Sequence, residues 1–277
     1  MAYKRILTIQ DISCVGQCSL TVALPILSAC GHETGILPSA VLSTHTGGFQ
    51  GFTFRDLTDD IPAIQKHWQK ENIRFDAVYT GYLGSMRQIA MVEDIFRTMT
   101  ADGGLCIVDP AMGDNGKLYP GFDGEYAAAM ARLCASADII LPNITEACFL
   151  TGHEYRTDYD PSYVEELLQK LAGLGAKSVV LTGVSYEPEK TGVIVYEQGR
   201  QEYYCHERIP RSYHGTGDIY SSAFVGSLMQ GKSKLEAVRI AADYTVRCIE
   251  KTIDDDSHWY GVKFEAAMPY LIEKVYE

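Results

Sequence analysis

The chain is organised around a glycine-rich turn and the segment that follows it, His214-Gly215-Thr216-Gly217-Asp218-Ile219-Tyr220-Ser221-Ser222-Ala223-Phe224. Apolar residues recur at spacings of three and four after the glycines, which predicts a helix that begins in the turn. The free N–H groups of a helix's first turn can bind an anion, and the lack of side chains at Gly215 and Gly217 lets a phosphate approach. A carboxylate would repel that phosphate. Asp218 therefore either complements the helix dipole or serves as the base for an attacking hydroxyl in phosphoryl transfer.

The composition is that of a soluble globular protein. The chain has 277 residues, 46% of them hydrophobic and 22% charged, and we expect one domain spanning residues 1–277. Its net charge of −12 argues against a nucleic-acid or anionic-membrane partner. It does not argue against a nucleotide, because a metal ion and backbone amides can neutralise phosphate charge.

Several features predict a cytoplasmic protein. The eight cysteines are scattered, and no Cys-x-x-Cys pair occurs among them. The N-terminus enters a strand-like run without a signal peptide, and no apolar run approaches the ~20 residues of a membrane span.

Strands alternate with helices over the first two thirds of the chain, which predicts parallel βαβ units. We expect strands at residues 5–10, 33–37, 77–80, 105–109, 139–141 and 178–181, and helices at about 20–30, 62–71, 85–100, 124–135, 144–151 and 161–174. Residues 191–197 and 201–207 are predicted to form a hairpin, and helices at 216–230, 234–251 and 264–276 close the chain. The predicted fold class is α/β with a mostly parallel central sheet.

Ligands bind beyond the carboxyl ends of the strands in such a sheet. Polar or glycine-containing segments follow most of the predicted strands, which predicts a cleft at this edge. They are Asp11, Gly81-Tyr82, Asp109-Pro110, Pro142-Asn143 and Thr182-Gly183.

The letters of a P-loop occur at Gly226-Ser227-Leu228-Met229-Gln230-Gly231-Lys232-Ser233, but we reject a P-loop there. A P-loop needs a strand before it, whereas residues 219–225 are predicted to be helical. Gly231 instead indicates a helix end, and Ser233 with Glu236 indicates the capping box of the next helix.

Five segments, together with the turn at Gly215, resemble the pyridoxal kinase branch of the ribokinase-like superfamily over nearly the whole chain. They are Ile9-Gln10-Asp11, residues 43–49 (STHTGGF), residues 80–85 (TGYLGS), residues 109–114 (DPAMGD) and Pro142-Asn143 with Glu146. The resemblance implies a three-layer α/β/α sandwich, a homodimer, and ATP-dependent phosphorylation of the 5′-hydroxymethyl group of a vitamin B6 alcohol.

It also implies a role for each matching residue. Asp218 would be the general base, and the amides of Gly215, Thr216 and Gly217 would form an anion hole. The acids Asp109, Asp114 and Glu146 would hold Mg²⁺ directly or through water. The nucleotide phosphates would lie near Asn143 and Thr182-Gly183, with Gly215 and Gly217. The substrate pocket would be lined by Asp11, His45, Thr46 and Tyr82. Members of this family also commonly use a monovalent cation such as K⁺.

Each assignment has a structural alternative. Asp109-Pro110 could simply end a strand, and Asn143 with Glu146 could cap a helix. His45 could be a hydrogen-bonded pocket wall, and Tyr82 could belong to the core of a chain with 18 tyrosines. The joint placement of these residues at predicted strand ends favours a role in the site over these structural alternatives.

The chain departs from the family pattern at two places. Asp11 stands where these kinases usually have Ser, and it could pair with a protonated pyridine nitrogen or with the aminomethyl group of pyridoxamine. Some members also have a Cys after the Gly113-Asp114 position, and residues 115–119 contain none. Both departures bear on the preferred substrate.

The sequence also bears on three other functions. Hydroxymethylpyrimidine kinase of thiamin synthesis shares the Gly-x-Gly-Asp turn and often has Asp after the first strand. A non-catalytic B6-binding protein would need neither a base nor metal-binding acids. A nicotinamide dehydrogenase would need a G-x-G-x-x-G after the first strand, which this chain lacks. The residues that bind adenine are not evident, although residues 254–261 are a candidate wall.

Overall fold

The computed structural model describes residues 3–277 and has a nine-stranded central sheet in the order β11-β10-β9-β8-β5-β4-β1-β2-β3. Its strands are β1 (Arg5–Ser13), β2 (Glu33–Leu42), β3 (Phe54–Asp56), β4 (Phe75–Thr80), β5 (Thr100–Val108), β8 (Ile139–Ile140), β9 (Ser178–Val184), β10 (Lys190–Glu197) and β11 (Arg200–Glu207). A separate two-stranded sheet consists of β6 (Gly113–Asp114) and β7 (Lys117–Leu118). The helices are α1 (Leu20–Ala29), α2 (Ile61–Lys70), α3 (Met86–Met99), α4 (Gly124–Ala135), α5 (Ile144–Thr151), α6 (Pro161–Leu174), α7 (Thr216–Met229), α8 (Lys234–Glu250) and α9 (Phe264–Tyr276).

Six strands of the main sheet run parallel, from β9 through β8, β5, β4 and β1 to β2. Their carboxyl ends therefore lie along one edge, where the predicted cleft should be. The outer strands β3, β10 and β11 pair antiparallel.

Helices cover both faces of the sheet and make the structure a three-layer sandwich. On one face, α2 to α6 pack against side chains such as Leu7 and Ile9. On the other face, α1, α7, α8 and α9 pack against Ile6 and Tyr79. Successive residues of β1 point to opposite faces, and because both faces are covered, Ile6, Leu7 and Ile9 are all fully buried.

The predicted helices are confirmed, four of them (α4, α5, α6 and α9) with the predicted bounds. The hairpin is also present, and its turn residues Gln198 and Gly199 have φ values of 50° and 78°. That two-residue geometry matches the twist of paired strands. The rejection of a P-loop is confirmed as well, since residues 226–229 continue α7 and Ser233 forms a capping box with Glu236.

The strands differ more from prediction. β1 continues to Ser13 because a bulge between Gln10 and Ile12 absorbs Asp11, which was expected in a loop. β9 runs through Thr182 and Gly183 rather than ending before them. Exposed β3 and the short β6 and β7 were missed because they carry no alternating apolar pattern.

In the described part of the chain, every helix is too short or too polar to traverse a bilayer.

Candidate active site

The turn before α7 is built around Gly215. Its φ is 79°, and a Cβ there would lie 1.8 Å from the carbonyl oxygen of Gln17, so this position excludes any side chain. A Cβ on Gly217 would meet nothing within 4 Å. The fold therefore requires the first glycine, whereas the second leaves open space beside the helix.

The first turn of α7 offers unpaired donors. The helix has no side-chain cap, and its first backbone hydrogen bond runs from Ile219 N to Gly215 O at 3.0 Å. The N–H groups of Thr216, Gly217 and Asp218 have no acceptor among residues 3–277. This is the anion-binding arrangement that the sequence predicted.

Asp218 lies half-buried at this helix end, and its Oδ2 accepts a hydrogen bond from the backbone N–H of Ser19 at 2.9 Å. Burial raises the pKa of Asp218 to about 7, the Ser19 bond opposes that rise, and the charges of Asp109 and Asp11 add to it. A carboxylate with this pKa can accept a proton at neutral pH.

Asp109 follows the last residue of β5 and is 8% exposed. Its Oδ2 accepts from the Ser221 hydroxyl at 2.6 Å, and its Oδ1 accepts from Ala111 N at 3.1 Å. Burial raises the pKa of Asp109 to about 6. Because Ser221 lies three residues after Asp218, one face of α7 carries both the Asp218 carboxylate and the hydroxyl that binds Asp109.

Asn143 and Glu146 form a capping box at the start of α5. Glu146 Oε2 accepts from Asn143 N at 2.9 Å, Glu146 Oε1 accepts from Met112 N at 3.0 Å, and Asn143 Nδ2 donates to Gly113 O at 2.9 Å. This pair therefore does cap a helix, as the structural alternative predicted. Glu146 is nevertheless unusual for a cap, because burial and then the charge of Asp109 raise its pKa to about 8.

Asp114 is exposed, and its carboxylate accepts from Asn115 N at 2.8 Å and from Asn115 Nδ2 at 3.0 Å. Among residues 3–277, no three His, Cys, Asp or Glu side chains converge to form a metal cage of their own. Mg²⁺ usually needs only one or two carboxylates besides phosphate and water oxygens. Asp109 and Glu146 fit that demand, since both are buried and neither pairs with a cationic side chain in the described chain.

Thr182 lies beside Asn143 through an isolated parallel bridge, and its N–H donates to Pro142 O at 2.9 Å. Gly183 follows with φ of 73° and open space around it. The structure thus brings the predicted nucleotide-side residues together at the ends of β8 and β9.

Asp11 lies near the end of β1, and Tyr82 follows the end of β4, the strand that pairs with β1. Asp11 is 5% exposed, and its Oδ2 accepts from the Ser13 hydroxyl at 2.9 Å. Burial raises the pKa of Asp11, and burial followed by the charge of Asp11 raises the pKa of Tyr82. The Tyr82 ring lies 5.5 Å from that of Phe122 and is partly accessible, as a stacking surface would be.

His45 is a buried wall of the same region. Its Nδ1 accepts from Gly47 N at 3.0 Å, so Nε2 carries the proton and donates to Tyr260 O at 2.6 Å. This bond fastens residues 43–49 to residues 254–261, where Trp259 also packs 4.7 Å from Phe49. The neighbouring Thr46 is exposed. Residues 254–261, the candidate adenine wall, thus pack against the substrate-side loop.

Sequence reasoning missed Ser19 and Ser221, which hold Asp218 and Asp109 in place. Ser221 could have been found from its spacing of three from Asp218 on a helix. Ser19 had no such signal, because its contact with Asp218 spans 199 residues of sequence.

Comparison with known proteins gives a consistent result. A family model described as phosphomethylpyrimidine kinase matches residues 38–262. A Bacteroides thetaiotaomicron protein crystallised with pyridoxal is 39% identical, with a TM-score of 0.92 over 98% of this chain and 96% of that chain. Pyridoxal kinase from Lactobacillus plantarum is 32% identical, with a TM-score of 0.91 over 98% of each chain. A pyridoxal kinase from Granulibacter bethesdensis is 28% identical over 266 residues, which cover 91% of each chain.

The family match covers most of the chain, and the pyridoxal kinase likeness extends over its full fold. The open helix turn, its carboxylate and the buried acids opposite lie at the sheet edge where an α/β kinase would bind its ligands. The chain therefore belongs to the phosphomethylpyrimidine kinase family, in the pyridoxal kinase branch of the ribokinase-like superfamily.

Proposed function

We propose that this protein transfers the γ-phosphoryl group of ATP to the 5′-hydroxymethyl group of a vitamin B6 alcohol (pyridoxal, pyridoxamine or pyridoxine) and so salvages pyridoxal 5′-phosphate. One observation carries the proposal. Asp218, with a pKa raised to about 7, stands in a helix turn whose N–H groups are free. A base and an anion hole in one turn are what phosphoryl transfer to an alcohol requires.

The substrate ring is proposed to lie between Tyr82 and Asp11, with its hydroxymethyl group directed at Asp218. The charge of Asp11 raises the pKa values of both Tyr82 and Asp218, which supports a common pocket for the three residues. The pyridoxal present in the Bacteroides thetaiotaomicron crystal and the pyridoxal kinase relatives support this choice of substrate.

Asp218 would take the hydroxyl proton as the substrate oxygen bonds to the γ-phosphorus, while the bond from that phosphorus to the bridging oxygen breaks and ADP leaves. The amides of Gly215, Thr216 and Gly217 would donate to the transferring phosphoryl oxygens and stabilise their charge. Bound Mg²⁺ would supply further neutralisation of phosphate charge. Asp109, Glu146 and Asp114 would hold it, directly or through water, and Ser221 would orient Asp109.

Asn143, Thr182 and Gly183 are proposed to face the phosphates of ATP. They gather at the ends of neighbouring strands on the side away from Asp11. The family resemblance also leads us to propose K⁺ as an activating ion, a cytoplasmic location and a homodimer. Light scattering after size-exclusion chromatography tests the dimer, and replacement of K⁺ by tetramethylammonium in the assay tests the ion.

The direct test replaces Asp218 by Asn. We expect kcat to fall at least about 100-fold for phosphorylation of pyridoxal, while ATP binding measured by calorimetry survives, because general-base catalysis is worth about 10²–10⁴-fold. Asp102→Asn is the matched control, since Asp102 is an exposed acid near the opposite end of β5. Full activity of the Asp218→Asn enzyme would exclude this mechanism.

Hydroxymethylpyrimidine kinase is the alternative, because the family model is named for a pyrimidine kinase. Values of kcat/KM for pyridoxal, pyridoxamine and hydroxymethylpyrimidine decide between the two. A pyrimidine preference would replace the proposed substrate but keep the roles of Asp218 and its turn.

A further inference from the structure

Ser19, the residue before α1, has a backbone conformation that residues other than glycine rarely adopt. Its φ and ψ are 55° and −131°, close to the angles of the first central residue of a type II′ turn, where glycine is the usual residue. Such a conformation is unfavourable for a residue with a Cβ, and it persists only where the surrounding structure enforces it.

The chain is held in place on both sides of Ser19. Before it, the side-chain amide of Gln17 donates to Glu265 Oε2 in α9 at 3.0 Å. After it, the carbonyl oxygen of Ser19 accepts from Val22 N at 3.0 Å and from Ala23 N at 2.9 Å, the bonds that start α1. These contacts fix the peptide group that carries the N–H of Ser19.

The N–H of Ser19 is thereby directed at the catalytic base. It donates to Asp218 Oδ2 at 2.9 Å, and this is the one hydrogen bond that the Asp218 carboxylate accepts from the described residues. Besides burial, the groups that raise the pKa of Asp218 are Asp109 and Asp11, which are both acidic. Burial, together with acidic charges that include Asp218, also raises the pKa values of three nearby side chains, Cys18, Tyr79 and Tyr119. None of these groups is cationic, so the ionised base depends on this N–H for stabilisation.

A second unfavourable conformation occurs beside the other buried acid of the site. Among residues 3–277, five residues other than glycine have positive φ values, and three of them are Asn or Gln in turns, namely Asn72, Asn115 and Gln198. The other two are Ser19 and Ala111, and Ala111, with a φ of 30°, donates its N–H to Asp109 Oδ1 at 3.1 Å. Both of these residues therefore direct an N–H at a carboxylate of the site, as expected where backbone strain serves a function.

We infer that Ser19 is a positioning residue for the base, and that its unfavourable backbone conformation, rather than its hydroxyl, directs the N–H that holds the Asp218 carboxylate for proton transfer. The inference rests on the proposed function and adds to it a residue that acts on the reaction only through Asp218. A hydrogen bond to the ionised carboxylate favours that form, which is the one that accepts the proton of the substrate.

The experiment separates the backbone from the hydroxyl with two variants. Ser19→Gly loses the hydroxyl but adopts the same φ and ψ freely. Ser19→Thr keeps the hydroxyl, but its β-branched side chain opposes a positive φ and should move the N–H away from Asp218. The readout is the pH dependence of kcat/KM for pyridoxal, measured together with Tm.

We expect Ser19→Gly to keep the apparent pKa of wild type, with a Tm no lower than that of wild type. Ser19→Thr should raise the apparent pKa by about 1, because a hydrogen bond to a charged group is worth about that much. Its kcat/KM should then fall about tenfold at about pH 6 and about fivefold at about pH 7, and should approach that of wild type at about pH 9.

Three results would overturn the inference. They are an unchanged pH profile in Ser19→Thr, a loss of the same size at every pH, and a shift in Ser19→Gly as large as that in Ser19→Thr. Ser19→Gly remains decisive if the Thr variant does not fold, since a shifted profile there would assign the effect to the hydroxyl.

Asn72→Thr is the matched control, because Asn72 also has a φ of 55° but lies in an exposed turn between α2 and β4. It should lower Tm and leave the apparent pKa of kcat/KM unchanged. A shift equal to that of Ser19→Thr would mean that lost stability alone moves the profile, and it would overturn the inference.

A measurement without substrate separates this inference from the proposed function. The ¹³C NMR signal of the Asp218 carboxyl carbon, identified by its loss in Asp218→Asn, reports the pKa of Asp218 directly. Wild-type protein that phosphorylates no B6 alcohol with ATP and Mg²⁺ would overturn the proposed function, while this titration would still test the contact with Ser19. An Asp218 titration that is the same in Ser19→Thr and in wild type would overturn the inference alone.

Discussion

The two glycines of the helix turn should respond in opposite ways to the same substitution. At Gly215, a methyl group would lie 1.8 Å from the Gln17 carbonyl oxygen, and the residue would have to keep a φ of 79°. At Gly217, the methyl group would meet no protein atom within 4 Å, and the backbone is already helical. Gly217→Ala therefore leaves the fold intact and places a methyl group where the phosphoryl group must approach.

The structure allows the size of each effect to be worked out. Replacing a helical Gly by Ala stabilises a protein by about 0.5–1 kcal/mol. With an unfolding entropy of about 2 cal/mol/K per residue, a chain of 277 residues should gain about 1–2 °C in Tm. Gly215→Ala pays about 1–2 kcal/mol for the left-handed conformation alone, and the clash with Gln17 adds to it, so Tm should fall by at least about 3 °C.

Activity should separate from stability in the Gly217→Ala protein. A displacement of the reacting groups by about 1 Å costs about 100-fold in rate, so we expect kcat to fall by that factor while Tm rises. Steady-state kinetics with pyridoxal and differential scanning calorimetry on the same preparations measure both. If Gly217→Ala keeps kcat within about threefold of wild type, the phosphoryl group does not approach this turn and the assignment of the anion hole is wrong.

Two further predictions use the raised carboxyl pKa values. Asp218 must be ionised to act as a base, so kcat/KM should rise with pH through an apparent pKa of about 7 and fall about tenfold per pH unit below it. A profile that is flat from about pH 5.5 to 8 would contradict this role. Folding raises the pKa of Asp109 to about 6 and that of Glu146 to about 8. Between about pH 4 and 8 the folded protein therefore binds more protons than the unfolded chain. The free energy of unfolding of the metal-free protein should decrease as pH rises through this range. Mg²⁺ should therefore raise Tm more at about pH 8 than at about pH 5.5. The Glu146→Gln variant, which can still form the capping box, should show a smaller difference between the two pH values. An equal rise of Tm with Mg²⁺ at both pH values would refute the proposed metal-binding role of these acids.

Local sequence signals were sufficient for most helices. The bounds of α5 follow from Asn143 and Glu146, which form the box at its start, and from Gly152, whose φ of 65° ends it. The bounds of α6 follow in the same way from Asp160 and Gly175. Such signals lie within one or two turns of the helix they delimit, so a single sequence is enough to show them.

Strand ends and side-chain partners were harder to predict, because they depend on residues far away in the chain. Nothing near Asp11 shows that β1 continues past it, since the extension is stabilised by pairing with Val41 and Leu42 of β2. His45 was predicted either to be a hydrogen-bonded pocket wall or to contact the substrate, and its bond to Tyr260, 215 residues later, could not be read from the sequence.

The sequence alone determined the layered α/β architecture, the position of the helix turn at Gly215 and the chemical types available for catalysis, because periodicity, caps and glycines act locally. The protonation states and the hydrogen-bond partners of those residues depend on the tertiary structure. Burial raises the pKa values of Asp218, Asp109 and Asp11, and the charges of Asp109 and Asp11 add to the rise at Asp218. Such shifts depend on desolvation and on charges brought together from distant parts of the chain, and only the folded structure creates them.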